Sequence, residues 1–450
     1  MAPEAEAAHR ASGRAELERG LASGGTELER GLASDRAKTR RGPIRLTIID
    51  DNPFLRASDG QVRPRAATFH RFAEAVVRAG PFGAARYVIP VRDLAGDLVR
   101  GVEGEGSGEG SGGDSAAHLA PVDESLLHVV PSAPFDGAAG YLRRLPTMLR
   151  HNLPLLRETL RGEHLVWIKV PGSNGAAAAL VADALGVARF AYVVGSVSEV
   201  VAASPRTGAA RIAALGAAAL HDGTTTVLTR TAPSLHLGQE LFTSAIDAAD
   251  ISQPAQLRGP REGPWRIVWA GRMAPEKGLA TLLRVVTLLV ATGRDVRLSL
   301  IGDGPERPRL EAQARTLGIT DSITWEGYLG ERERVLATLR DSDLFVLPSL
   351  TEGVPKVLVE AMACGVPVVA SAVGGIPALL GDGHRGRLLR AGDEIDLATS
   401  IRSMLDDPAA MRTFRDRGVA WAADHTAERQ AERLVDWMRT TFPALPWPAT

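Results

Sequence analysis

The feature that most constrains this chain is a regular alternation of two hydrophobic periods. Strand-like apolar runs fall at 266–271, 296–302, 322–327, 343–348 and 367–371. Helical patterns fill the gaps at 277–291, 306–317, 331–341 and 355–364. Short strands alternating with helices of roughly 10–15 residues specify βαβ units and a parallel sheet. The first half reads the same way. IRLTIID after Pro43 is β-rich and unbroken, as in a strand buried on both faces. A loop follows to Pro64, then a helix at 66–79, strands at 86–91 and 126–130, and another strand, HLVWIKV, at 164–170, ended by the turn PGSNG. A small-residue helix and the strand RFAYVV come after it. The fold class is therefore α/β: two doubly wound domains facing each other, with ligands at the carboxyl ends of the strands.

The remaining length reads as connections. Residues 1–42 repeat the word ELERGLAS and hold few apolar side chains, so they read as a disordered tail, with a partner-binding arm as the alternative. A first domain over 43–252 carries a glycine-rich insertion at 101–118, a flexible surface loop. A Pro/Gly-rich joint at 253–264 opens the second domain, 253–425. The last stretch, 426–450, holds a helix at 426–442 whose apolar stripe (Ala427, Ala431, Leu434, Val435, Met438, Phe442) must be buried against something.

Charge narrows the function. Lys plus Arg is 52 and Asp plus Glu 53, for a net charge of −1, which argues against a dedicated nucleic-acid binder. The single cysteine, Cys364, excludes an intrachain disulfide and reads as a small buried hydrophobe. No run is long and apolar enough to span a membrane, and the acidic start does not suit a signal peptide, so a cytoplasmic location is expected. A basic stretch at 141–161 reads as an exposed helix pair broken by Pro146 and Pro154, or as a surface for an anionic membrane, contacted peripherally, or for a phosphorylated acceptor. Among the 52 cations only four are lysine: Lys38, Lys169, Lys277 and Lys356. In a chain that writes surface charge as arginine, a lysine is informative.

Four strand ends in the second half carry chemistry. Gly271-Arg272 ends a strand and Lys277 opens the next helix; two cations at one turn suit a diphosphate, although a solvated turn would look similar. Gly302-Asp303 makes a tight turn. Glu352 and Glu360 are eight apart, one before a helix and one inside it, with Gly353 and Val354 presenting amides between them. A carboxylate inside an otherwise apolar helix wants hydroxyl partners, as on a ribose; Glu352 could serve only to complement the helix N-terminus. Gly374-Gly375 is a further tight strand end.

Taken in order, GRMAPEKG, LIGDGPE and the E-x7-E element in PSLTEGVPKVLVEAMACGVPVVASAVGG resemble the donor domain of the retaining GT-B glycosyltransferases, the group 1 or family-four class, over 266–405. The resemblance implies two Rossmann-like domains across a cleft and transfer of a sugar from a nucleotide-sugar donor with retention of configuration. It implies that Arg272 and Lys277 bind and stabilise the donor diphosphate, and that Glu352 contacts the donor sugar. Glu360 would bond the ribose, Tyr328 and Leu329 would lie beside the base, and Gly271, Gly302, Asp303, Gly353 and Val354 would line the same site. No metal and no cofactor are implied, and the acceptor (sugar, lipid or small molecule) is open. The resemblance also places the last helix back on the first domain.

The first domain departs from the pattern. Many relatives place a histidine where this chain has Pro171, Gly172, Ser173 and Asn174; His164 sits at the wrong end of that strand, and His70 reads as a surface residue. Asp59 and Gly60 form an acceptor or phosphate loop on this reading, with Lys169 either an acceptor or phosphate contact or a plain strand residue. The rival functions are a GT-B phosphorylase or epimerase, or a nucleotide-sugar-binding regulator without catalysis.

Overall fold

A computed structural model describes residues 42–448, apart from 53, 58, 65–68, 94–120, 133–136, 195–207, 237–245 and 253–262. The expected tail, the glycine-rich insertion and nearly all of the Pro/Gly joint lie outside the described residues.

In the first half, β1 (Leu46–Ile49), β4 (Ala85–Asp93), β5 (Leu127–Ser132), β6 (Leu165–Val170), β7 (Ala188–Val193) and β8 (Ser234–His236) join β2 (Phe54–Arg56) and β3 (Val62–Pro64) in one eight-stranded sheet. All pairings are parallel except β2 with β3. Four consecutive buried residues in β1 match a strand covered on both faces. The helices are α1 (Phe69–Ala79), α2 (Gly137–Leu160), α3 (Ser173–Leu185) and α4 (Gly208–Thr231).

Two expectations are corrected here. Residues 51–64, read as a loop, contain the β2–β3 hairpin, whose turn is fixed by Asp59 accepting from the Gln61 amide at 2.9 Å and from Arg63. The expected helix pair at 141–161 is one continuous helix, α2, running through Pro146 and Pro154. Each proline removes a backbone bond, at about 3 kcal/mol in a helix interior. Burial of Asn152, Leu156, Thr159 and Leu160 on one side of α2, which packs on α3 and α4, offsets this.

The second half holds β9 (Trp265–Ala270), β10 (Val296–Ile301), β11 (Ile323–Gly327), β12 (Leu344–Leu347), β13 (Val368–Ser371) and β14 (Arg387–Leu389). Their order is β11-β10-β9-β12-β13-β14, all parallel. The order reverses direction between β9 and β12, and the carboxyl ends flanking that reversal form the natural crevice of a doubly wound sheet. The helices are α5 (Leu279–Ala291), α6 (Arg307–Leu317), α7 (Arg332–Arg340), α8 (Lys356–Ala363), α9 (Ile376–Leu379), α10 (Glu394–Leu405) and α11 (Pro408–Asp424).

The last helix, α12 (Ala427–Thr441), returns to the first half. Ala427, Ala431, Leu434, Val435 and Met438 belong to the same core as Ile44, Phe72 and Trp167, and α12 lies on α1. Thr426 caps it, accepting from the Arg429 amide. Both crossings between the halves sit together, since the Ala427 amide donates to the Ile246 carbonyl at 2.7 Å.

Candidate functional site

The loops at the carboxyl ends of β9, β10 and β11 are bonded into one floor. The Gly271 amide donates to Ile301, Met273 to Asp303, and Gly302 to Gly327, at 3.0, 2.8 and 2.7 Å. This close stacking leaves no room for side chains at two turns. Gly302 has φ +117°, and a Cβ there would meet the Gly271 carbonyl oxygen at 1.9 Å; Gly278 has φ +69°, and its Cβ would meet the Pro348 oxygen at 2.1 Å. Gly278 also corrects the start of the helix. Lys277 ends a short 3-10 turn, Pro275–Lys277, and α5 begins only after the left-handed glycine.

Above this floor lies a cavity of about 570 Å³. Gly271, Arg272, Lys277, Gly302, Asp303, Tyr328, Leu329, Glu352 and Glu360 all line it. Residues spread over 90 positions of sequence thus share one site, as their strand-end positions suggested. Gly353 and Val354 are not among the lining side; Gly353 accepts from the Gly375 amide at 2.8 Å, tying the Glu352 loop to the turn after β13.

The charges in the cavity are already organised. Lys277 Nζ lies 2.8 Å from Glu352 Oε1, and Ser349 Oγ donates to the same oxygen at 2.7 Å. Asp303 is held by Arg307 at 3.0 Å. Burial pushes the Glu360 carboxyl above its ordinary range, while Arg332 and Lys356 pull it back. Arg332 in turn pairs with Asp250 at 2.7 Å, in the segment that joins the two halves. Such a set can take a diphosphate on its cations and hydroxyls on its carboxylates.

Asp59, Gly60 and Lys169 are not brought together. Asp59 and Gly60 form the exposed β2–β3 turn, and Arg63 holds the Asp59 carboxyl below its usual value. Lys169 stands at the end of β6, where Nζ lies 2.7 Å from Asp50 Oδ1 and 4.5 Å from the Phe69 ring centre.

The first half contributes residues that sequence reasoning missed. Asp50, 1% exposed, accepts from Tyr87 Oη at 2.8 Å as well as from Lys169. Asp51 accepts from the Asn174 backbone and side chain at 2.9 and 2.6 Å, and burial raises its carboxyl to about 6. The available signal was a pair of adjacent aspartates at the carboxyl end of an apolar strand. His70 is not the surface residue expected: it is 2% exposed on α1, packed edge-on to Phe54, and burial lowers its imidazole to about 4. Phenylalanines on either side of it turn with the helix into the core, and His70 goes in with them.

Comparisons with known proteins agree with this geometry. Residues 255–421 match the family described as glycosyl transferases group 1. The 2-deoxystreptamine glucosyltransferase of Streptomyces kanamyceticus is 32% identical over 233 residues, which cover 49% of this chain and 59% of that protein. The chain thus spans less than two thirds of this relative. The sucrose-phosphate synthase of Thermosynechococcus elongatus superposes with a TM-score of 0.59 at 18% identity, over 89% of this chain and all of the other. The Anabaena protein HepE in complex with UDP gives 0.56 at 16% identity, again over 89% of this chain and all of the other. Residues 255–421 are thus similar to the glycosyl transferases group 1 domain, and the chain has a GT-B fold.

Proposed function

We propose that the chain is a glycosyltransferase that moves a sugar from a nucleotide-sugar donor to an acceptor with retention of configuration. One observation carries the reading: Arg272, the Lys277–Glu352 pair and Glu360 surround a single cavity at the point where the sheet order reverses. The UDP bound by the structural neighbour HepE and the glucosyltransferase named among the relatives support it.

On this reading Arg272 and Lys277 hold the donor diphosphate and stabilise the charge that grows on it as the bond from C1 to the phosphate oxygen breaks. The acceptor oxygen bonds to C1 from the same face, and its proton passes to the departing diphosphate. Glu352, steadied by Ser349, orients the sugar hydroxyls, with the Gly353 and Val354 amides beside it. Glu360 bonds the ribose, and Tyr328 and Leu329 border the base. These cations, rather than a metal ion, balance the diphosphate.

The test is direct. UDP-, GDP- and ADP-glucose are each added to the full chain and thermal stability is followed, since a bound donor stabilises by mass action. One of the three should raise Tm, and the Arg272→Ala/Lys277→Ala double variant should lose both that shift and donor turnover. Unchanged turnover in the double variant would place the site elsewhere.

A further inference from the structure

The Lys277–Glu352 pair has a third member that does not touch the cavity. Ser349 lies just beyond β12, is 0% exposed and is not among the residues that line the cavity. Its Oγ donates to Glu352 Oε1 at 2.7 Å, the same oxygen that Lys277 Nζ meets at 2.8 Å. Two donors on one carboxylate oxygen share its charge, so each is held less firmly than it would be alone.

The two donors differ in how freely they can leave. The backbone on either side of Ser349 is fixed. The Leu350 amide donates to the Glu276 carbonyl at 2.7 Å, and the Pro348 carbonyl lies so close to Gly278 that no side chain fits between them. The Glu352 backbone is gripped from its other side: Gly374 has φ +54°, and a Cβ there would meet the Glu352 carbonyl oxygen at 1.9 Å. A hydroxyl on so short a side chain stays with its backbone. Lys277 instead carries its ammonium on a flexible four-carbon stem. Glu352 is its ion-pair partner, and the Glu352 side chain is only 10% exposed. If the lysine were the sole donor, its departure would leave a largely buried carboxylate oxygen unsatisfied, which is unfavourable. With Ser349 in place, that oxygen keeps a partner after the lysine has gone.

We propose that Ser349 is a positioning residue that loosens Lys277 from Glu352, so that the ammonium can turn to an arriving diphosphate. The loosening rests on the geometry of the pair alone; its use for a donor rests on the transferase reading.

Acylation reads the pair directly, because the chain has only four lysines, Lys38, Lys169, Lys277 and Lys356. The full chain is treated with trace acetic anhydride, and modification of Lys277 is followed by mass spectrometry relative to its rate in the urea-unfolded chain. An ammonium held in an ion pair is acylated slowly. Lys277 is expected to react about threefold more slowly in Ser349→Ala than in the unsubstituted chain. In a Glu352→Gln background, Ser349→Ala is expected to change nothing. A serine that only braces the loop would give an unchanged or faster rate in Ser349→Ala, and that result overturns the proposal; so does an effect that persists with Glu352→Gln. Should Ser349→Ala fail to fold by circular dichroism, Ser349→Cys, whose thiol is a weak donor, replaces it with the same expectation. UDP, GDP and ADP are then added. The diphosphate that protects Lys277 should need about a threefold higher concentration in Ser349→Ala, and equal protection overturns the release role. If none protects Lys277 in the unsubstituted chain, the donor reading of the cavity falls, and the acylation rates still decide whether Ser349 loosens the pair.

Discussion

The ion pair between Lys277 and Glu352, with side chains 21% and 10% exposed, sits where a diphosphate and a sugar would meet. On the proposed reading, a donor entering this cavity competes for both groups, so binding exchanges one charge pairing for two others. Across the cleft, Asp51 and His70 set a pH response with opposite signs. Asp51 is raised from 3.8 to about 6, so its contribution to stability is present below about pH 4 and lost as pH rises through 6. His70 is lowered from 6.5 to about 4, so its contribution is present above about pH 6.5 and lost as pH falls through 4. The two oppose each other over one window. Asp51→Asn removes the first, and Tm should then fall more steeply between pH 6.5 and 4 than in the unsubstituted chain. Parallel Tm curves would show that Asp51 is not the proton-holding group. These residues also mark where sequence reading stopped. Arg272, Lys277 and Glu352 are legible because each sits at a strand-to-helix turn that local pattern defines, and Glu360 because it is a lone carboxylate inside an apolar helix. Asp51 and His70 are not, because their character comes from burial and, for Asp51, from a partner 123 positions away.

At the scale of elements, α12 is the joint between the halves. Its buried stripe of Ala427, Ala431, Leu434, Val435 and Met438 was visible as a periodicity, though not which surface it covers; α1 supplies that surface. The Trp437 and Phe190 ring centres lie 5.3 Å apart, extending the contact to β7. Leu434 is fully buried, so Leu434→Ala should lower stability by about 2–5 kcal/mol. Denaturant unfolding measures this, and a change below 1 kcal/mol would mean that α12 is not packed as described. The β2–β3 hairpin and the proline-crossed α2 were not legible. In both, local signals (a turn-rich stretch and two prolines) were overridden by tertiary packing that period alone does not report.

For the whole molecule, the segment around 246–252 acts as a clamp. Asp250 accepts from Arg332 and from the Asp247 amide, Asp247 pairs with Arg71 of α1, and the Ser252 amide donates to Ala363 at the end of α8. One short segment thus grips both halves, and through Arg332 it reaches the residue beside Glu360. Asp250→Ala releases Arg332 and the Asp247 amide together. Limited proteolysis should then cut the connection faster, at unchanged far-UV circular dichroism; equal cutting rates would show that the clamp does not hold. The alternation of strand and helix made the two-sheet architecture legible from the sequence, but the clamp was not, since its parts are four acidic or basic residues in unremarkable surroundings.

The return of α12 has a consequence for how the molecule is made. The core around Trp167 is completed by side chains from 427–438, which follow the entire second half in sequence. During synthesis the second sheet is contiguous and can close as it leaves the ribosome. The first sheet, though translated earlier, waits with the α1 face uncovered until the last helix emerges. The half made first is therefore the half finished last, and the nascent chain is most in need of chaperone shelter late in its translation.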